Sequence, residues 1–274
     1  MVNAATGFHC PDCAKSDRKT VPVVRRASTD RIPPATLVLL GLIGLGYVAT
    51  ASLGGAGGGA TRLHGDFGMY APSLADGQWY RVLTHGLLHY GILHLAMNGY
   101  ALWVLGPIIE GRLGTARFIM LWIVGAAGAA AGAAWLEPTA LAAGASGSLF
   151  GLLAAAVVLE RRRGIRELLG SRMGLWLAYG LVFTFLMPGI SIGGHVGGAL
   201  AGAVAAAFMF EFDRHGTQRF GLLGATAVAI LALGLTAIGA DHAADALRVP
   251  PSQLCALLAD QGLTPAELLS IGCP

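Results

Sequence analysis

Residues 141–153 read LAAGASGSLFGLL, a window of small and apolar side chains with two hydroxyls, Ser146 and Ser148, at its centre. Alanine would pack equally well, so the hydroxyls need a reason. Small residues let membrane helices approach closely, and a serine can bond back to its own backbone. A serine can also be a nucleophile at a place where only a small residue fits. The window alone leaves both readings open. From Ser146 the apolar run reaches only to Glu160, ~21 Å of helix against the ~30 Å of a hydrocarbon core. It does not span alone. Residues 138–145, behind Glu137-Pro138, must then enter the bilayer as non-helical chain, which is tolerated only where protein covers it or it lines a water-filled cavity. Ser146 is predicted to open a helix partway down a wet pocket, its amide among the unpaired donors of a helix N-terminus.

The rest of the chain makes the bilayer explicit. Of its 274 residues, 55% are hydrophobic and 12% charged, where a soluble domain carries about 25% charged residues. Apolar runs occur at 36–53, 87–109, 118–136, 146–159, 173–192, 193–210 and 220–240. The boundary between the fifth and sixth rests on Met187-Pro188-Gly189 and the glycines after it. The prediction is an all-α polytopic membrane protein with three parts. Residues 1–35 form a mostly disordered tail, 36–240 a transmembrane domain of seven helices, and 241–274 a second tail. No cleavable signal is expected, since the first apolar run lies behind a polar segment. The loop at 54–86 opens with a flexible GGAGGG and carries Trp79, Tyr80 and Arg81.

A net charge of +3 does not argue for nucleic acid; the placement of the charges argues for orientation. Lys15, Arg18, Lys19, Arg25, Arg26 and Arg31 precede the first run, and Arg112 and Arg117 follow the second. Arg161, Arg162, Arg163, Arg166 and Arg172 follow the fourth, and Arg214 and Arg219 the sixth. Only Arg62, Arg81 and Arg248 fall in the alternate loops. The positive-inside rule places the N-terminus in the cytoplasm. The second, fourth and sixth helices then run inward together. Measured back from the inner face, His195 lies roughly 24 Å before Glu211, His94 roughly 24 Å before Glu110, and Asn98 about 18 Å before it. With Ser146, four polar side chains from three co-directional helices share one level. Polar groups at such depth are costly and mark function.

A hydroxyl needs a base to attack a carbonyl, and His195 is the imidazole at that level. Gly147 and Gly151 on the fourth helix and Gly194, Gly198 and Gly202 on the sixth repeat every four residues, which lets the two backbones come close enough for a Ser–His bond. His94 and Asn98, i and i+4, share a face and can both donate to an oxyanion, with the Ser146 amide as a further donor. Interhelical hydrogen bonding is the competing role for that pair. No Asp or Glu shares the depth of His195, so a Ser–His dyad is expected rather than a triad. His85 and His89 have ligand-like spacing but no third partner, which favours a structural role; no metal and no cofactor are assigned.

Taken together, GASG, GHVGGALAG and THGLLHYGILHLAMN followed by EGRLG closely resemble the rhomboid intramembrane serine proteases. WYR resembles that family's Trp-Arg element with one residue inserted. The resemblance covers roughly residues 70–210. It implies Ser146 as nucleophile, His195 as general base, and His94 and Asn98 with the Ser146 amide as oxyanion hole. It also implies a six-helix core, the run at 220–240 being the extra C-terminal helix of some members. The implied activity is cleavage of single-pass membrane proteins near the outer face, from a bacterial inner membrane, at small residues in easily unwound helices and without a cofactor. TGFHCPDCAKS resembles the end of a small zinc-binding module that precedes some actinobacterial rhomboids; Cys10 and Cys13 are half of such a site.

Two other classes compete. An inactive relative that binds membrane proteins would lack the serine or the histidine. A transporter using His94 and His195 would show internal repeats and charges at mid-depth, and neither is visible. In the outer tail, PPSQLCALLADQG reads as a short helix, and TPAE at 264–267 as a capping box opening another. Folded on each other, these helices bring Cys255 near Cys273 in a disulfide-permissive compartment.

Overall fold

The computed structural model describes residues 2–4, 7–9, 32–163, 190–214 and 218–247, with positions 180 and 182. Contacts divide the chain into two units, Met1–Ile32 and Pro33–Pro274. In the first unit β1 (Val2–Ala4) pairs antiparallel with β2 (Gly7–His9), Val2 opposite His9 and Ala4 opposite Gly7. The expectation of a mostly disordered tail misses this hairpin. Strands of three residues are too short to show an alternating pattern. Cys10 and Cys13 lie outside the described residues.

The second unit is helical. In order it contains α1 (Pro34–Ser52), a 3-10 turn at Gly55–Gly57, α2 (Arg62–Phe67), α3 (Ala71–Ala75), α4 (Arg81–Thr84) and a 3-10 turn at His85–Leu87. Then follow α5 (Gly91–Leu113), α6 (Thr115–Leu136), α7 (Ser146–Arg163), α8 (Ile192–Arg214) and α9 (Gln218–Leu247). Among the described residues, α1, α5, α6, α8 and α9 are long and apolar enough to cross a membrane, and α7 offers only the shorter apolar stretch Ser146–Val158. Of the fifth predicted run only positions 180, 182 and 190–192 are among the described residues, and Cys255 and Cys273 lie outside them. The second helix runs four residues later than its apolar pattern suggests. His85–Leu87 form a tight turn and Gly91 sits at φ +77°, so Leu87 and Leu88 are apolar without being in the span.

α8 packs along both α6 and α7, and α9 covers α6 and α8. Glycine makes the first two contacts backbone on backbone. A Cβ at Gly198 would lie 2.2 Å from the Gly147 carbonyl oxygen, and one at Gly202 2.3 Å from that of Gly151. These are the pairs the fourfold spacing predicts. A second glycine face is absent from that prediction: a Cβ at Gly197 would lie 2.2 Å from Gly128 O, and one at Gly132 2.0 Å from Gly193 O. α8 is therefore pressed between α6 and α7 on two adjacent faces. Glu110, near the end of α5, caps the start of α1. Its carboxylate accepts from the Ala35 and Thr36 amides at 3.1 and 2.8 Å, the Thr36 hydroxyl at 2.8 Å and the Thr115 hydroxyl at 2.8 Å.

The segment 54–86, expected to begin as a flexible loop, has a fixed course. Gly54 and Gly58 take φ of 89° and 97° around the 3-10 turn, a conformation in which glycine avoids the Cβ penalty. Arg81, only 5% exposed, donates to Gly65 O and Gly68 O at 2.7 Å each and to Gln78 Oε1 at 2.8 Å. α3 also packs its Ala71 and Leu74 into a cluster with Ala127, Ala130 and Ala134 of α6 and Ala240 and Ala243 of α9. This ordered segment covers the non-helical chain that leads to Ser146. Met69 and Ala142 exchange both backbone bonds at 2.8 and 2.9 Å, and the Gly144 amide donates to His85 O at 2.9 Å. Backbone that enters a bilayer without being helical needs such partners.

Candidate active site

Ser146 is the first residue of α7 and His195 the fourth of α8. His195 Nε2 lies 2.6 Å from Ser146 Oγ. The imidazole lies flat on the Phe150 ring, centroids 4.3 Å apart at 19°. Phe150 follows Ser146 by one helical turn, so one face of α7 carries both the hydroxyl and the surface that holds the imidazole plane. The other hydroxyl of the window does different work. Ser148 is buried, and its Oγ donates to Trp122 O of α6 at 2.9 Å. One serine is packing and the other faces a base.

His94 and Asn98 project from α5 towards the same place. The Tyr90 amide donates to His94 Nδ1 at 3.4 Å, so the ring proton resides on Nε2. That Nε2 borders the space in front of Gly144. A Cβ built there would be 2.8 Å from His94 Nε2 and 3.7 Å from Asn98 Nδ2. Gly144 also sits at φ +136°, so both the backbone and the close approach of the His94 ring require glycine. Asn98 Nδ2 is buried without a hydrogen-bond partner among the described residues. An unmet buried donor is expensive. His94 Nε2 and Asn98 Nδ2 thus both face Gly144, two residues before the serine.

The supporting residues come largely from the turn before α5. His85 Nδ1 donates to Arg81 O at 2.9 Å, and burial lowers the pKa of this imidazole, which favours its neutral form. His89 Nε2 accepts from the Ala145 amide at 3.4 Å. His89 through its ring and His85 through its backbone carbonyl therefore hold the chain entering Ser146. Among the described residues no three His, Cys, Asp or Glu side chains gather as a metal site. Tyr90 lies nearly parallel to His64 at 4.3 Å and to His94 at 6.4 Å, and its hydroxyl donates to Leu141 O at 3.1 Å. Sequence reasoning missed Phe150 and Tyr90. The only available signal was spacing, for Phe150 is i+4 from Ser146 and Tyr90 i−4 from His94.

A family model described as the Rhomboid domain matches residues 76–212. The chain is 34% identical over 169 residues to "Rhomboid protease GluP" of Bacillus subtilis (strain 168), an alignment covering 61% of this chain and 33% of that protein. It is 31% identical over 131 residues to "Putative rhomboid protease YdcA" of the same strain, covering 46% of this chain and 65% of that one. "Rhomboid protease GlpG" of Enterobacter sp. (strain 638) is 37% identical over 57 residues, covering 21% and 20%. The chain thus spans a third of the first relative's length and just under two thirds of the second's.

Proposed function

Because the chain belongs to the rhomboid family, its Rhomboid domain spanning residues 76–212, we propose that it is an intramembrane serine endopeptidase working through a Ser146–His195 dyad. The observation that carries this reading is the 2.6 Å approach of His195 Nε2 to Ser146 Oγ at the N-terminus of a helix too short to span. In the reading, His195 takes the Ser146 proton as the oxygen attacks the scissile carbonyl, then returns it to the leaving amine. The carbonyl oxygen, negative in the tetrahedral intermediate, sits in the space before Gly144. There His94 Nε2–H, Asn98 Nδ2–H and the Ser146 amide donate to it. Water then hydrolyses the acyl-enzyme, His195 taking its proton and passing it to Ser146 Oγ as the acid product leaves. No metal or cofactor takes part in these steps.

The substrates are single-pass transmembrane proteins, cut near the outer face, and the enzyme acts from a bacterial inner membrane with its N-terminus in the cytoplasm. The distribution of lysine and arginine supports that orientation. The test is cleavage of a model single-pass substrate by purified protein in liposomes. Ser146→Ala and His195→Ala each reduce cleavage to background, since general-base assistance alone is worth ~10²–10⁴-fold. Undiminished cleavage by Ser146→Ala removes the serine-protease reading.

A further inference from the structure

α8 carries His195 in its first turn. The far half of the helix is held by buried side chains, Ala205, Ala206, Met209 and Phe210, whereas near His195 its contacts with α6 and α7 run through Gly193, Gly197 and Gly198. The start of the helix is held differently. The Ser191 hydroxyl accepts from the Gly194 amide at 2.9 Å and donates to Glu137 Oε2 in a short bond. Glu137 Oε1 accepts from the Gly193 amide at 3.0 Å. Two orphan donors of the first turn are thereby satisfied, one by the Ser191 cap and the other by a carboxylate from the far end of α6. Negative charge at that end of a helix is favourable. The His195 amide donates to Ser191 O at 3.2 Å, so one turn of helix links the latch to the imidazole.

We infer that Glu137 is a positioning residue: through Ser191 and the Gly193 amide it fixes the first turn of α8 and hence the distance from His195 to Ser146. Glu137 touches neither reacting atom and acts only through that turn. The inference rests on the dyad reading. Releasing the latch frees the first turn, and His195 with it, to shift while the rest of α8 stays packed. A shift of about 1 Å is enough to cost on the order of 10²-fold in rate, while substrate binding elsewhere is untouched.

The experiment measures kcat and KM for a single-pass model substrate in liposomes, together with the labelling rate of Ser146 by a fluorophosphonate and the melting temperature. Wild type, Ser146→Ala, Glu137→Ala, Glu137→Gln and Ser191→Ala are compared. Cleavage by Ser146→Ala rejects the dyad itself, separately from the latch. With Ser146→Ala inactive, Glu137→Ala is expected to lose about 10–100-fold in kcat and in labelling rate. KM should stay within about twofold. Glu137→Gln keeps an acceptor for Gly193 and recovers most of the loss. Ser191→Ala, which removes the same link from the other side, shows the same kcat loss and serves if Glu137→Ala does not fold. A folded Glu137→Ala, or in its absence a folded Ser191→Ala, with wild-type kcat and labelling overturns the inference. So does a Glu137→Gln as slow as Glu137→Ala.

Discussion

Gly198→Ala tests whether the Ser146–His195 distance is set by the close approach of α7 and α8. The added methyl would lie 2.2 Å from Gly147 O and 2.9 Å from Gly147 C. A carbon settles about 3.3 Å or more from a carbonyl oxygen, so the helices must part by about 1 Å. Gly147 and Gly198 flank the two reacting residues in sequence, and little of that displacement can be absorbed before it reaches them. The Ser146–His195 separation, 2.6 Å now, then lies beyond hydrogen-bond range. Two opposing terms enter stability: alanine gains ~1 kcal/mol of helix propensity over glycine, and overpacking costs ~1–3 kcal/mol. The net destabilisation is small, whereas the rate falls on the order of 10²-fold. Gly41→Ala and Gly234→Ala are the controls, since a Cβ at either meets nothing within 4 Å. Substrate cleavage and fluorophosphonate labelling in liposomes, with melting curves for each variant, measure both effects. A Gly198→Ala protein that cleaves and labels at the wild-type rate refutes the reasoning.

Asn98→Ala should slow turnover by ~10²–10³-fold, less if the remaining donors compensate. Its melting temperature should not fall, because the side-chain nitrogen it removes has no partner to lose among the described residues; an unchanged kcat takes Asn98 out of the site. Glu110→Ala leaves the buried Ala35 and Thr36 amides without their acceptor and is expected to destabilise by roughly 3 kcal/mol or more. Denaturation in mixed micelles reads this, and a loss below about 1 kcal/mol contradicts the capping role. On the proposed orientation, Cys255 and Cys273 should resist alkylation in denatured, unreduced protein and yield a cross-linked peptide by mass spectrometry. Such a bond contributes ~3 kcal/mol, and full alkylation of both thiols ends the idea.

The four candidate residues were legible because helical rise is constant. Counting back from Glu110 and Glu211 puts His94, Asn98 and His195 at one depth before any contact is known. The structure then brings Ser146 to His195, and His94 and Asn98 to the space before Gly144. What composition could not show is which small residue faces which helix. Gly194, Gly198 and Gly202 stand out by their spacing, yet Gly193 and Gly197 form a second face that only the position of α6 reveals. The Glu137 latch was hidden for a related reason: it caps a helix from another helix, and sequence signals for capping reach only a few residues along the chain. The sequence places Arg81 in the loop at 54–86 but gives no sign of its partners, carbonyls 13 and 16 residues away. The fixed turns at Gly54 and Gly58 read as flexibility, because a run of glycines looks the same whether its φ values are free or specified.

The glycine seams of α8 have a mechanical consequence. Where side chains separate two helices, their spacing breathes with rotamer changes; where peptide units touch, it is set by covalent geometry and hardly yields. α6, α7 and α8 should therefore respond to bilayer thinning, tension or a bulky neighbour by tilting as one rigid wedge, with strain expressed at its margins. Ser146 and His195, mounted inside that wedge, keep their separation in membranes of different thickness. The rate of the proposed cleavage should then depend on lipid chain length through how substrate reaches the site, with the labelling rate of Ser146 staying flat across the same series.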